Sequence, residues 1–236
     1  MPKPSFRFKQ FTIQQDRCAL KVGTDGVLFG AWVNYDGAHR ILDIGTGTGV
    51  LALIAAQRNA TATIDAVEID DAAAEQAAEN AAASPWSDRV RVHRMDVRRM
   101  NAGQPFDLII CNPPYYAGYS TATDERMGLA KHSDELLFPA LVTAVDHLLA
   151  KTGRFAVIIP LNREQELTTL AAKVGLKPTR RCVVKYVAHR PAKRVLLELS
   201  KLGESLHQEE LIIENTGPFD YTPEYRVLIS DLMLNF

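Results

Sequence analysis

The run Arg40-Ile41-Leu42-Asp43-Ile44 followed directly by Gly45-Thr46-Gly47-Thr48-Gly49 leaves this chain few folds to choose from. The first five residues read as a short apolar strand. After the glycines, Val50, Leu51, Leu53, Ile54 and Ala55 recur at helical spacing up to Arg58. Strand, glycine loop and helix form the nucleotide-binding unit of an open α/β sheet. Glycines at that turn let the backbone approach a ligand closely. A plain strand-to-helix turn has no need of three alternating glycines after an acid. A nicotinamide-binding loop would read G-x-G-x-x-G, but Val50 stands where its last glycine belongs.

The units that follow extend the pattern. Thr63–Glu68 reads as a second strand, with Glu68 at its C-terminal end, nineteen residues after Gly49. A carboxylate there can accept two hydrogen bonds from a ribose diol. It can equally be an acid at a helix start, a role that Asp70 and Asp71 also fill. Asp71–Ala83 is alanine-rich and helical, and Ser84-Pro85-Trp86 stops it. Arg89–Arg94 alternates as a third strand, and Asp96 follows, either a contact for an adenine amino group or a surface turn acid. Phe106–Cys111 is the fourth strand. Further on, 133–150 and 163–174 are expected as helices, 153–159 as a strand, 177–187 and 193–199 as paired strands, 211–213 as a short strand or extension and 223–236 as a closing helix. Upstream, residues 5–15 suggest a short strand or hairpin, and Thr24 or Asp25 could cap a helix running to Trp32. Alternating strands and helices of this kind predict a doubly wound, mostly parallel sheet with its ligand at the strand C-termini. A single domain spanning 1–236 is expected, with 1–35 as an N-terminal extension.

Asn112-Pro113-Pro114-Tyr115 ends the fourth strand. The two prolines fix the turn and hold Asn112 in one direction. Both still offer backbone carbonyls, and Tyr115 offers a flat aromatic face. Clustered acceptors beside a stacking surface suit a planar ring that bears an NH2 group. The same residues also read as a Pro-Pro turn closing a strand. Residues 117–132 form a long polar stretch beside this candidate site.

The formal net charge of −1 hides an uneven layout. Residues 1–21 sum to +4 and residues 173–201 to +8, so the remainder sums to −13. Two concentrated basic segments can bind a polyanion, or can be solvated strand and loop faces. Cys18, Cys111 and Cys182 are far apart and odd in number, which gives neither a disulfide framework nor a metal-ligand spacing. No apolar run reaches the length of a membrane span, and the first residues lack a signal-peptide core, so a cytoplasmic protein is expected.

The segment Asp43-Ile44-Gly45-Thr46-Gly47-Thr48-Gly49, with Glu68, Asp96 and Asn112-Pro113-Pro114-Tyr115, resembles the class I S-adenosylmethionine-dependent methyltransferases. The Asn-Pro-Pro-Tyr form is similar to that of enzymes that methylate an amine conjugated to a planar system. Lys21-Val22-Gly23-Thr24-Asp25-Gly26, Ser84-Pro85-Trp86 and Arg194-Val195-Leu196-Leu197 bring the chain closest to the bacterial tRNA1(Val) adenine-37 N6-methyltransferase family, over nearly its whole length. The resemblance implies a Rossmann-like, seven-stranded sheet, S-adenosylmethionine as cofactor and tRNA as partner. It implies cofactor contacts from Thr24, Asp25, Asp43, Gly45, Gly47, Gly49, Glu68, Asp96 and Asn112, and catalysis at Asn112, Pro113, Pro114 and Tyr115. Lys9, Arg17, Lys21, Arg190, Lys193 and Arg194, from the two basic segments, are the expected RNA contacts. No metal, membrane or obligate protein partner is called for. The motif also permits an adenine of ribosomal RNA or DNA, a protein glutamine, or a non-catalytic binding module of the same fold.

Overall fold

The computed structural model describes residues 4–114, 137–203 and 205–234. It contains a hairpin of β1 (Ser5–Arg7) and β2 (Thr12–Gln14), α1 (Thr24–Trp32), β3 (Arg40–Ile44), α2 (Val50–Arg58), β4 (Thr63–Glu68), α3 (Asp71–Ala82), β5 (Val90–Arg94) and β6 (Phe106–Cys111). After the segment outside the description come α4 (Leu137–Leu148), β7 (Leu149–Pro160), α5 (Glu164–Lys173), β8 (Lys177–Val187), β9 (Arg194–Ser200), β10 (His207–Glu214) and α6 (Pro223–Ile229).

The central sheet has the order β10-β8-β9-β7-β6-β3-β4-β5. Every pairing is parallel except those of β9 with β7 and β8. The short loop from β8 to β9 allows only a hairpin, which reverses β9; parallel neighbours need a longer crossover. The mostly parallel sheet is as expected, but among the described residues it has eight strands rather than seven. The short strand expected at 211–213 runs over all of His207–Glu214 and adds to the edge beside β8.

Side chains alternate between two buried layers along each central strand. Ile41, Leu108, Ile110, Ala156 and Ile158 enter one core with residues of α1, α2 and α6. Leu42, Ile44, Ile109, Phe155, Val157 and Ile159 enter the other with residues of α4 and α5. A strand buried on both faces must be apolar at odd and even positions alike, which explains the near-continuous hydrophobic runs. Phe8, Phe11 and Ile13 of the N-terminal hairpin belong to the first core, so this segment is packed into the main body of the fold.

Two helix boundaries differ from expectation. Gly23, not Thr24 or Asp25, is the N-cap of α1, and it makes no side-chain cap bond. The closing helix stops at Ile229, well short of 236. There the chain turns so that Leu232 is fully buried and its carbonyl accepts a hydrogen bond from the Lys9 N–H at 2.8 Å.

Beyond β10 the chain makes a tight turn and returns along the sheet edge, with Glu214 bridged to Tyr221 and the Thr222 N–H donating to Ile213 O at 2.9 Å. Phe219 in this turn has φ 69°, the only positive φ among the described non-glycine residues. For an L-residue with a bulky side chain, that conformation costs about 1–2 kcal/mol.

Candidate active site

Four adjacent strands bring Asn112, the glycine loop, Glu68 and Asp96 to one edge. Ile44 of β3 lies opposite Val67 of β4 and Cys111 of β6, and Glu68 lies opposite Arg94 of β5. Asn112, the glycine loop, Glu68 and Asp96 therefore stand side by side across three strand intervals, about 14 Å. That length suits an extended ligand such as an amino acid joined to a nucleoside.

Gly45, Gly47 and Gly49 have φ of 68°, 55° and 84°. Left-handed backbone at three alternate positions explains why this loop takes glycine. A Cβ built on Gly45 or Gly47 meets nothing within 4 Å, so the space above both residues is open. Gly49 instead lies close to Ala77 of α3, 3.5 Å from the position its Cβ would take. The loop closes as the Gly45 and Thr46 N–H groups donate to Val67 O at 2.9 and 3.1 Å.

Glu68 organises this loop. Its Oε2 accepts from the Gly47 N–H at 2.9 Å, and its Oε1 accepts from the Ile69 and Asp70 N–H groups at 2.8 and 3.0 Å. A carboxylate offers about four acceptor positions. Glu68 thus retains one for a ligand hydroxyl, where the sequence had suggested two. Asp43 lies beneath the loop with no exposed surface. Its Oδ2 accepts from Thr46 Oγ1 at 2.6 Å, while Oδ1 has no partner. Burial drives its carboxyl up to about 7, against the opposing pull of the Thr46 hydrogen bond. Asp96 caps the short 3-10 turn Val97–Arg99 by accepting from the Arg98 N–H at 2.9 Å. The Arg98 guanidinium also grips its carboxylate and holds it below the usual carboxylate range. A ligand amine would compete with that exposed guanidinium.

Asn112 is half-buried at the end of β6, Pro113 is buried and Pro114 is exposed. Asn112 Nδ2 lies 3.7 Å from where a Cβ on Gly26 would sit, so the start of α1 packs against the Asn112 amide. Tyr115 and the stretch 117–132 lie outside the described residues. Thr24 is exposed at the first position of α1. Asp25 has both oxygens engaged: Oδ2 accepts from Arg194 Nε at 2.9 Å and Oδ1 from the Tyr186 hydroxyl. This contact ties the start of α1 to the β8–β9 hairpin.

The basic residues separate into two groups. Lys9 Nζ donates to Ser230 O, Arg17 pairs with Glu79, and Lys21 Nζ donates to Cys18 O at 2.8 Å. Lys9 and Arg17 hold the N-terminal segment to the body of the protein, and Lys21 closes a turn within that segment. Within 173–201, Arg181 pairs with Glu164, Arg180 with Glu209, Lys185 with Glu210, Lys201 with Asp146, and Arg194 with Asp25. Arg190 and Lys193 remain exposed at the hairpin tip. Lys193 and Arg194 also line a groove of about 460 Å³ with Pro160, Leu161, Asn162 and Ala192. The groove lies at the C-terminal end of β7, the strand next to β6, and so beside Asn112.

Three further residues that the sequence reading did not single out shape the site. Asn80 of α3 accepts from the Gln14 N–H at 2.8 Å, and its Nδ2 donates to Gln14 O at 2.8 Å and to Thr48 O at 2.9 Å. One turn earlier, Gln76 Nε2 donates to Asp16 Oδ1 and its Oε1 accepts from the Arg17 N–H. Two amides spaced i, i+4 on an alanine-rich face were the available clue. Ile69, 66% exposed directly after Glu68, provides an apolar surface beside the loop.

The methyltransferase small domain family model matches residues 27–173. The tRNA1(Val) (adenine(37)-N6)-methyltransferase of Bacteroides thetaiotaomicron is 43% identical over 236 residues, covering 100% of this chain and 99% of that protein. Its counterparts from Trichodesmium erythraeum and Tolumonas auensis are each 45% identical and cover 98% of this chain, and 98% and 97% of their own lengths. Among solved structures, a predicted O-methyltransferase from Agrobacterium tumefaciens superposes with a TM-score of 0.68 at 22% identity, covering 88% of this chain and 96% of that one. That last likeness concerns the fold, a class I methyltransferase sheet. Whole-length identity above 40%, a matching domain model and a glycine loop set beside an Asn-Pro-Pro strand end lead to one assignment: the chain belongs to the methyltransferase small domain family, in the branch of the tRNA1(Val) (adenine(37)-N6)-methyltransferases.

Proposed function

We propose that this protein transfers a methyl group from S-adenosylmethionine to the exocyclic N6 amine of adenine 37 in tRNA1(Val). The observation that carries the reading is the placement of Asn112-Pro113 one strand from the open glycine loop, in a chain that aligns end to end with curated enzymes of that name. S-adenosylmethionine supplies an electrophilic sulfonium methyl. Gly45 and Gly47 leave room for its amino-acid end, the remaining acceptor of Glu68 suits its ribose, and Ile69 and Asp96 suit its adenine.

The chemical problem is the amine. The N6 lone pair is delocalised into the adenine ring, which makes it a poor nucleophile. The Asn112 side-chain oxygen and the Pro113 carbonyl accept its two N–H bonds and favour the positive charge that develops on nitrogen during attack. Tyr115 stacks on the base and fixes the line of approach. The proton leaves after transfer, so no strong base is needed beforehand. A base already unpaired in an RNA loop can reach Asn112 without being extracted from a duplex. The groove between β7 and the β8–β9 hairpin gives the adjoining RNA a place to lie. Such a substrate places the protein in the cytoplasm, and no described helix is long and apolar enough to cross a membrane.

Incubation with labelled S-adenosylmethionine and unmodified total tRNA, followed by digestion to nucleosides, tests the reaction. Labelled N6-methyladenosine mapped to position 37 is expected. Label appearing only in ribosomal RNA, DNA or protein glutamine would reassign the substrate, and no transfer to any of them would favour a non-catalytic binding module.

Arg190 and Lys193 are the expected phosphate contacts, whereas Arg194 is engaged with Asp25. The double charge reversal R190E/K193E should weaken tRNA binding and flatten the dependence of log K on log salt by about 1.5. Cofactor affinity should stay at the wild-type value. A titration series with an unchanged salt slope would remove these two residues from the interface.

A further inference from the structure

Phe219 is 78% exposed, more than any other large apolar side chain among the described residues. Its backbone is also strained. Folding explains neither property, because the ring gains little burial in return for the strained turn. Several side chains nevertheless hold that turn. Asp220 Oδ2 accepts from the Thr216 N–H at 3.2 Å and from Thr216 Oγ1 at 2.8 Å, and Glu214 Oε1 accepts from the Phe219 N–H at 2.9 Å. The Tyr221 ring meets Phe219 edge-on, with centroids 6.3 Å apart and planes at 84°. A left-handed, non-glycine residue fixed by its surroundings points to a function for what it displays.

The position of the turn suggests that function. β10 runs parallel to β8, so its C-terminal end lies on the same sheet edge as Asn112. Four strand intervals separate β6 from β10, about 19 Å. The Ala188 N–H donates to Glu214 O at 3.1 Å, which joins the turn directly to the hairpin bearing Arg190 and Lys193. An aromatic face, two cations and the candidate methyl-acceptor site therefore follow one another along a single edge.

We propose that Phe219 is a stacking subsite for an unpaired base of the RNA substrate, several nucleotides from the methylated adenine. The proposal rests on the tRNA reading above. Single-stranded RNA is gripped by cations along its phosphates and by aromatic rings under its bases, and Arg190, Lys193 and Phe219 supply both elements. Glu214 and Asp220 beside the ring are acids held by the Phe219 N–H and by Thr216, so the ring takes a base while the phosphates run along Arg190 and Lys193.

The test uses the full chain and an unmodified tRNA transcript. F219G removes the ring and relieves the left-handed strain, so the fold should persist; F219N, which also tolerates that backbone, serves as a second variant. Both should bind the transcript about fivefold or more weakly, with unchanged kcat at saturating RNA and an unchanged salt slope. F219W should restore affinity, and its added indole fluorescence should be quenched by the transcript. Affinity of F219G and F219N within twofold of wild type would overturn the subsite. So would a wild-type dimer that dissociates in F219G, since the ring would then belong to an interface between copies. Failure of the underlying reading is separately visible: wild-type protein would then yield no labelled N6-methyladenosine from tRNA, and the subsite would fall with it.

Discussion

Asn112→Ala is expected to lower kcat for tRNA methylation by about 10²–10³-fold while leaving cofactor affinity within about threefold of wild type. The size follows from what is lost. Asn112 stands at the end of β6, held by the two prolines behind it and by the close approach of Gly26. Its amide oxygen is set before the amine arrives, so no reorganisation accompanies the build-up of charge on nitrogen. Alanine leaves the Pro113 carbonyl as the remaining acceptor. Water in the vacated space would be mobile and would stabilise the transition state less. Because the interaction strengthens as charge develops, the loss should fall on kcat more than on KM. Single-turnover transfer to unmodified tRNA, paired with calorimetric titration of S-adenosylmethionine, separates the two effects. Transfer within tenfold of wild type would remove Asn112 from the chemistry.

Asp43→Asn should produce the largest change in how stability depends on pH. Asp43 is fully buried, and that burial pushes its carboxyl from 3.8 up to about 7. Between those values the native state holds a proton that the unfolded chain has released. Stability must then fall as pH rises through this window, by up to about 1.4 kcal/mol per pH unit and roughly 4 kcal/mol in all. Asparagine has nearly the same shape and no titration, so this component should vanish in the variant. Near pH 5 the variant should be no more stable than wild type, because its buried amide also lacks a full set of partners. Near pH 8 it should gain several kcal/mol relative to wild type. Denaturant unfolding of both proteins at a series of pH values gives the comparison, and parallel curves would show that Asp43 stays ionised throughout.

The parts of the fold most legible in the sequence are those whose patterning follows from local geometry. Arg40–Ile44 and Phe106–Cys111 have the expected bounds because buried strands are apolar runs with clear stops, and Lys177–Val187 has them although only Thr179, Cys182 and Val184 along it are buried. The glycines are legible for a related reason, since left-handed backbone at 45, 47 and 49 admits little else. Charge was harder to read. The +8 of residues 173–201 counts Arg181, Arg180 and Lys185 alike, but the acids that pair with them, Glu164, Glu209 and Glu210, lie elsewhere in sequence. Only the fold brings them together, and it leaves Arg190 and Lys193 at the tip. Asp25 shows the same limit. Its neighbours in sequence suggested a ligand contact, whereas its partners Tyr186 and Arg194 are more than 160 residues away. Asn80 was hidden because a polar residue on an exposed-looking helix has no local pattern that marks it as buried.

Asn80 adds a direct link between two regions that already share the first core. One amide holds both the N-terminal strand at Gln14 and the glycine loop at Thr48. A ligand that favours the loop conformation held by Asn80 should therefore also favour the docked position of Gln14. By thermodynamic reciprocity, whatever free energy a bound ligand lends to the docked N-terminus, the docked N-terminus returns to ligand affinity.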